Sequence, residues 1–201
     1  PGFYNQLRTL EMMAYQEKTH RYPDFIDYIL GSSNDQLRKY ESYGFKKEQC
    51  VKIPLFFDSK KLENLVPTTG DRIVCIAQDR TEKGFHLVPD ILERCSDSAK
   101  FTLVYADVNA LNGIEEQKEY KKYIDNGMLQ ICRGVSWNNG LAEILASARG
   151  VLIPSLWPTT TEFGLIEALG LKKVVFSFDV GIHHEIFENG VNGFCYAIDE
   201  L

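Results

Sequence analysis

The sequence predicts an α/β fold, a parallel sheet flanked by helices. Two observations carry this. From Arg72 onward, short apolar runs alternate with helical patterns, as in a parallel sheet covered on both faces. The chain has 201 residues, 44% of them hydrophobic, enough for one large domain or for one domain plus part of another.

The elements follow in order. "LRTLEMMAYQEKTHRY" (7–22) reads as a helix, and "DYILGSS" (27–33) as a strand ending in Gly31-Ser32-Ser33. "NDQLRKYESYGF" is a second helix that Ser33 or Asn34 can cap, and "QCVKIPL" (49–55) is a second strand. The prolines and polar residues that follow, to Asp71-Arg72, read as an extended linker. Six further strands are expected at 72–78, 101–106, 129–135, 150–155, 173–178 and 193–196. Phe85, Val88, Ile91 and Leu92 have helical spacing, with Pro89 bending that helix or marking its first turn. "EEQKEYKKYIDNG" reads as a polar surface helix that stops at Asn126-Gly127. "NGLAEILASARG" places Leu141, Ile144, Leu145 and Ala148 on one face. After Thr161 a helix with Leu165, Ile166 and Leu169 on one side runs into Gly170. Asp179 to Gly181 form a turn before a short helix with His183 and His184.

Composition excludes some classes. A formal net charge of −6 argues against general nucleic-acid binding. The five cysteines show no paired C-x-x-C spacing and are expected to be reduced, mostly buried thiols of a cytoplasmic protein. No apolar run approaches the roughly 20 residues of a membrane span, and no signal peptide is visible, so membrane association would be peripheral.

Three stretches can carry chemistry, each at the carboxyl end of a strand, where ligands sit in such sheets. In "IAQDRTEKGF", Arg80 and Lys83 bring two cations to a strand-to-helix turn, a natural phosphate site; taken alone they are more often solvated loop charges. Neither G-x-G-x-x-G nor G-x-x-x-x-G-K-[ST] occurs. In "PSLWPTTTEFGLIEALG", Glu162 and Glu167 would point about 140° apart on a helix. Carboxylates accept hydrogen bonds from vicinal sugar hydroxyls, although Glu162 could merely favour the helix dipole and Glu167 be a surface charge. Gly164 permits close backbone approach. In "DVGIHHEIFENGVNGF", adjacent His183 and His184 diverge on a helix, a weak metal signal, and no metal is expected.

Together "IAQDRTEKGF", "CRGV" and "PSLWPTTTEFGLIEALGLKKVVFSFDVGIHHEIFENGVNGF" resemble the donor-binding half of a GT-B glycosyltransferase of the retaining group 1, or family 4, class. The resemblance covers 72 to 196 in the family's order, and 24 to 58 resemble the end of its acceptor domain. It implies a Rossmann-like parallel sheet forming one half of a GT-B fold. The implied domains are an acceptor-domain remnant at 1–57, a linker at 58–70 and a donor-binding domain at 71–201. The implied reaction moves a sugar, with retention, from a UDP- or GDP-linked donor to a glycan, lipid or protein-linked acceptor, as in polysaccharide biosynthesis. The alternatives are a nucleotide-sugar-binding module without catalysis, an inverting GT-B enzyme and an epimerase. The family's missing acceptor-domain portion would provide any peripheral membrane contact.

By the same resemblance, Lys83 and Arg80 offset charge on the leaving diphosphate without a divalent metal or other cofactor. Gln78 occupies the family's arginine position, five residues before Lys83. Gly134 and Val135 border the base. Thr159, Thr160, Phe163, Gly164 and Leu165 receive the sugar and diphosphate, and Glu167 holds the ribose. Either Glu162 or Thr159 takes the position of the family's first glutamate, which contacts the sugar.

Overall fold

The computed structural model describes residues 14, 22–54, 56–76, 80–95, 98–109, 113–158 and 162–200. The chain divides into two compact units, residues 1–55 and 56–201. The helix expected at 7–22 lies almost wholly outside the described residues.

In the first unit, strand β1 (Ile29–Gly31) pairs in parallel with β2 (Cys50–Lys52), and α1 (Asn34–Ser42) connects them. Ser33 caps α1, its hydroxyl accepting from the Gln36 N–H at 3.1 Å. The Gln36 side chain in turn accepts from the Ser32 N–H at 2.8 Å. Both donors are thus satisfied at the helix mouth.

The second unit begins with a segment tied to its own core. Asp58 caps a 3-10 turn at Ser59–Leu62, and Leu62 and Leu65 pack against buried residues. Beyond them Thr68 and Gly70 donate backbone hydrogen bonds to Ala146 and Ser147, at 2.9 Å each. The Lys173 ammonium is buried on two carbonyls, Thr68 at 2.6 Å and Ala148 at 2.9 Å. Burial lowers its pKa.

Six parallel strands follow: β3 (Arg72–Ile76), β4 (Lys100–Val104), β5 (Leu129–Cys132), β6 (Gly150–Ile153), β7 (Val174–Phe178) and β8 (Phe194–Tyr196). Their order is β5-β4-β3-β6-β7-β8. The connecting helices are α2 (Val88–Arg94), α3 (Lys118–Asp125), α4 (Leu141–Ala146), α5 (Phe163–Gly170) and α6 (His183–Ile186). Period-two alternation sends neighbouring strand residues to opposite faces. Cys75 and Leu103 join Val88 and Leu92 of α2 and Tyr120 and Tyr123 of α3. Val74 and Val104 join Leu145 of α4 and Leu165 and Ala168 of α5. The direction of winding therefore reverses between β3 and β6, the topological switch point of a doubly wound sheet.

Four expectations change in detail. The polar helix α3 buries Tyr120 and Tyr123, because two aromatic residues three apart form an inner stripe even on a charged helix. In α4 the buried residues are Ala142, Leu145 and Ala146; Leu141 and Ile144 are half-buried at the margin. In α5 Ile166 and Leu169 are likewise half-buried, while Leu165, Glu167 and Ala168 are buried. Of the five free cysteines only Cys75 is buried, its thiol pKa pushed up to about 12 by desolvation; the rest are half-buried. Pro89 stands in the first turn of α2, where its missing N–H costs nothing.

Candidate functional site

The carboxyl ends of β3 and β6 meet at the switch point, and their loops are braced together. The Glu82 carbonyl accepts from the N–H groups of Leu156 and Trp157, at 2.9 and 3.0 Å. Gly84 has φ +70°, and a Cβ placed there would lie 1.7 Å from the Pro154 carbonyl oxygen. Only glycine allows both that backbone conformation and that approach. Ser155, next along, keeps a buried hydroxyl with no hydrogen-bond partner among the described residues.

This bracing brings Lys83 to Glu162. The ammonium lies 3.3 Å from Oε1, with the side chains 22% and 12% exposed. Glu162 occupies the N-cap position of α5 in extended backbone, but its carboxylate caps nothing. It reaches instead between two elements, because Oε2 lies 3.2 Å from Nε2 of His183. His183 is fully buried, and its Nδ1 lies 3.0 Å from the Phe178 carbonyl at the end of β7. Burial pushes the Glu162 carboxyl pKa up, but the His183 hydrogen bond and the Lys83 charge outweigh it and hold the pKa below the usual value.

The mouth of α5 adds donors. The Leu165 and Ile166 N–H groups return to the Glu162 carbonyl, at 3.1 and 3.3 Å. Those of Phe163 and Gly164 find no partner among the described residues. Such a helix mouth favours an anion. A Cβ on Gly164 would come 2.9 Å from Ile76, so α5 sits close over the end of β3.

The other predicted residues divide. Arg80 does not join the cluster: it is exposed, 3.7 Å from Glu82. The Leu165 side chain is in the core, and its N–H is spent within the helix, so Leu165 offers a ligand neither group. Phe163 is exposed. Glu167 is 8% exposed; its carbonyl accepts from the Leu171 N–H at 3.0 Å, while its carboxylate has no hydrogen-bond partner among the described residues. Desolvation raises its pKa, with Lys61 countering in part. On the far side, Gly134 has φ +69° and lies against Val108, and its carbonyl accepts from Asn139 Nδ2 at 2.7 Å. The Val135 N–H is engaged by the Tyr105 carbonyl at 2.9 Å. Gln78, Thr159 and Thr160 lie outside the described residues. The sequence presents His183 only as a weak metal signal; its contact with Glu162 joins α6 to the start of α5, which no local pattern connects.

A hollow of about 370 Å³ opens elsewhere, at the amino ends of the strands, lined by Arg72, Gly127 and Leu129 among others. The Arg72 guanidinium is spent there on the carbonyls of Phe101 and Gly127, at 2.7 and 3.1 Å. No helix among the described residues is long and apolar enough to cross a membrane.

Residues 56–200 match the family described as Glycosyl transferases group 1. No curated protein sequence matches the chain significantly. Solved structures do. The chain is similar to Anabaena Alr3699/HepE in complex with UDP and glucose, with a TM-score of 0.66 and 19% identity over 85% of this chain and 49% of that one. For the lipopolysaccharide outer core galactosyltransferase WaaB in its apo form, the values are 0.68, 14%, 85% and 48%. For the pneumococcal O-GlcNAc transferase GtfA in complex with UDP and GlcNAc, they are 0.62, 17%, 94% and 38%. The chain spans about half the length of these proteins or less. Likeness at such identities speaks for fold: the six-stranded sheet between its helical layers is one half of a GT-B fold. Because the family match covers most of the chain, including the braced loops that join Lys83 to Glu162, the chain belongs to the glycosyl transferases group 1 family.

Proposed function

We propose that this chain is the donor-binding half of a retaining glycosyltransferase and binds a nucleoside diphosphate sugar, UDP- or GDP-linked. The observation that carries the reading is the Lys83–Glu162 pair at the switch point, beside the N–H groups of Phe163 and Gly164, which have no partner among the described residues. An ammonium and a helix mouth suit a diphosphate, and a carboxylate beside them suits the hydroxyls of the attached sugar. HepE, a neighbour in fold, was solved with UDP-glucose.

In this reading Lys83 and the mouth of α5 stabilise the charge that grows on the diphosphate as the glycosidic bond breaks, so no divalent metal is required. Arg80, exposed at the rim, swings in to add a second cation. Glu162 contacts the sugar, with Thr159 as the alternative for that role. Glu167 accepts from the ribose, and the backbone at Gly134 borders the base. Residues 1–57 are the remnant of an acceptor-binding domain, 58–70 the link to it, and 71–201 the donor domain. The acceptor is a glycan or a lipid- or protein-linked sugar.

Calorimetry with UDP, GDP, ADP and their sugars in excess EDTA tests this. The expected result is binding of one nucleotide family without metal. Absence of binding by all of them removes the central claim, and binding only with a divalent ion removes the metal-free mechanism. This chain alone should show no acceptor transfer, because holding two oriented substrates together supplies much of the acceleration. Transfer as fast as that of a version extended to the length of its structural neighbours would refute the domain reading.

A further inference from the structure

Glu162 divides its two oxygens between two cation-capable partners, and the partners differ in what else they do. Oε1 faces the Lys83 ammonium at 3.3 Å, from an exposed-edge loop after β3. Oε2 faces Nε2 of His183 at 3.2 Å, from α6 after β7. Lys83 keeps partial solvent access and three donors that can be redirected. His183 has no such freedom. Its ring is fully buried, packed edge-on against Phe187 at 6.2 Å between centroids, and pinned at Nδ1 by the Phe178 carbonyl at 3.0 Å. A carbonyl only accepts, so the ring N–H at Nδ1 donates to Phe178, and Nε2 faces the Glu162 carboxylate at 3.2 Å.

We propose that His183 is a positioning residue for Glu162: it anchors Oε2 while a diphosphate draws Lys83 away from Oε1, leaving that oxygen free for a hydroxyl of the donor sugar. The inference rests on the donor-binding reading above. It answers a difficulty in that reading, since a nucleotide that takes Lys83 would otherwise leave a mostly buried carboxylate without a partner, a costly state. The neighbouring His184 has a separate contact, 3.5 Å from the Asp179 carboxylate, and does not substitute for His183.

The test compares His183→Leu with His183→Gln, whose amide N–H can still donate to Glu162. Affinities for UDP, UDP-glucose, GDP and GDP-mannose are measured by calorimetry. For the pair that binds, the ratio of nucleotide-sugar to nucleotide affinity should fall about tenfold in His183→Leu, the worth of one hydrogen bond to a charged group. It should recover to within about threefold of the unaltered chain in His183→Gln, while the affinity for the bare nucleotide stays within about twofold in both. A ratio unchanged in His183→Leu, or a loss shared equally by nucleotide and nucleotide sugar without recovery in His183→Gln, overturns the proposal. A second measurement needs no ligand: urea unfolding of His183→Leu, Glu162→Ala and the double variant, each single change removing the contact. Stability losses that are not additive support the anchor, and losses that simply add overturn it. If no nucleotide binds the unaltered chain, the donor-binding reading falls, and the unfolding cycle alone decides whether His183 holds Glu162.

Discussion

Replacing Lys83 with alanine removes the ammonium but leaves the braced backbone of its loop intact, since the Glu82 carbonyl and Gly84 make the contacts to the loop after β6. The magnitude follows from two opposing contributions. A charge-assisted hydrogen bond to a phosphate is worth about 1.5–3 kcal/mol. Against this, the nucleotide must first compete with Glu162 for the same ammonium, which offsets about 0.5–1 kcal/mol for a partly solvated pair. The difference, about 1–2 kcal/mol, predicts a loss of about 5- to 30-fold in diphosphate affinity. Uridine and guanosine, which lack phosphates, should bind the variant within about twofold of the unaltered chain. Calorimetry on UDP against uridine, and GDP against guanosine, reads the split directly. Equal losses for nucleotide and nucleoside would place Lys83 away from the phosphates and refute the argument.

Further outcomes follow from the same geometry. Glu162→Gln frees Lys83 from its competitor, so UDP or GDP should bind about two- to fivefold more tightly, as calorimetry would show. Because the folded pKa of Glu162 is lowered, its ionised form contributes stability that is present above the ordinary value of 4.5 and is lost as pH falls through the folded pKa. The urea midpoints of the unaltered chain and of Glu162→Gln should therefore differ at neutral pH and converge on acidification below 4.5. Glu167 has the opposite sign. Its folded pKa is raised, so the ionised form costs stability at neutral pH and the cost disappears in acid. Glu167→Gln should raise the urea midpoint at neutral pH while weakening nucleoside binding; a gain in both would remove the ribose role. Gly84→Ala should cost at least about 2–3 kcal/mol, since a positive φ and a carbonyl contact both oppose it. Gly164→Ala should cost under about 1 kcal/mol, because the obstructing atom is the flexible end of Ile76.

The sheet was legible because its strands are short, β-branched and bounded by glycine or polar loops, and all eight expected strands form. Their ends are shorter than the apolar runs, since residues such as Pro154 and Ser155 leave the ladder to build the loop. The turn of Lys83 was expected to face the loop at 159–164, but not as an ion pair with Glu162, because 79 positions separate the two residues and local periodicity cannot report a contact across a sheet. His183 was missed for the same reason: a histidine pair suggests a metal, while its partner lies at the start of α5. The placement of Arg80 went the other way. Charge and position suggested a phosphate ligand beside Lys83, yet a long side chain on a solvent-facing turn pairs with Glu82 instead. Glu167 shows a third limit, for a glutamate in an apolar helix gives no sign in sequence of whether its carboxylate is covered.

The strand order also sets a schedule for synthesis. Strand β3 leaves the ribosome first among the six, but it lies in the middle of the finished sheet. One edge can be covered as soon as β4 emerges; the other waits for Gly150–Ile153. During that interval Arg72–Ile76 presents an unpaired row of backbone donors and acceptors flanked by valine, cysteine and isoleucine, the kind of edge on which nascent chains associate. A chaperone acting between those two points would protect this half-built domain, and slowing translation between β4 and residue 150 should increase its aggregation.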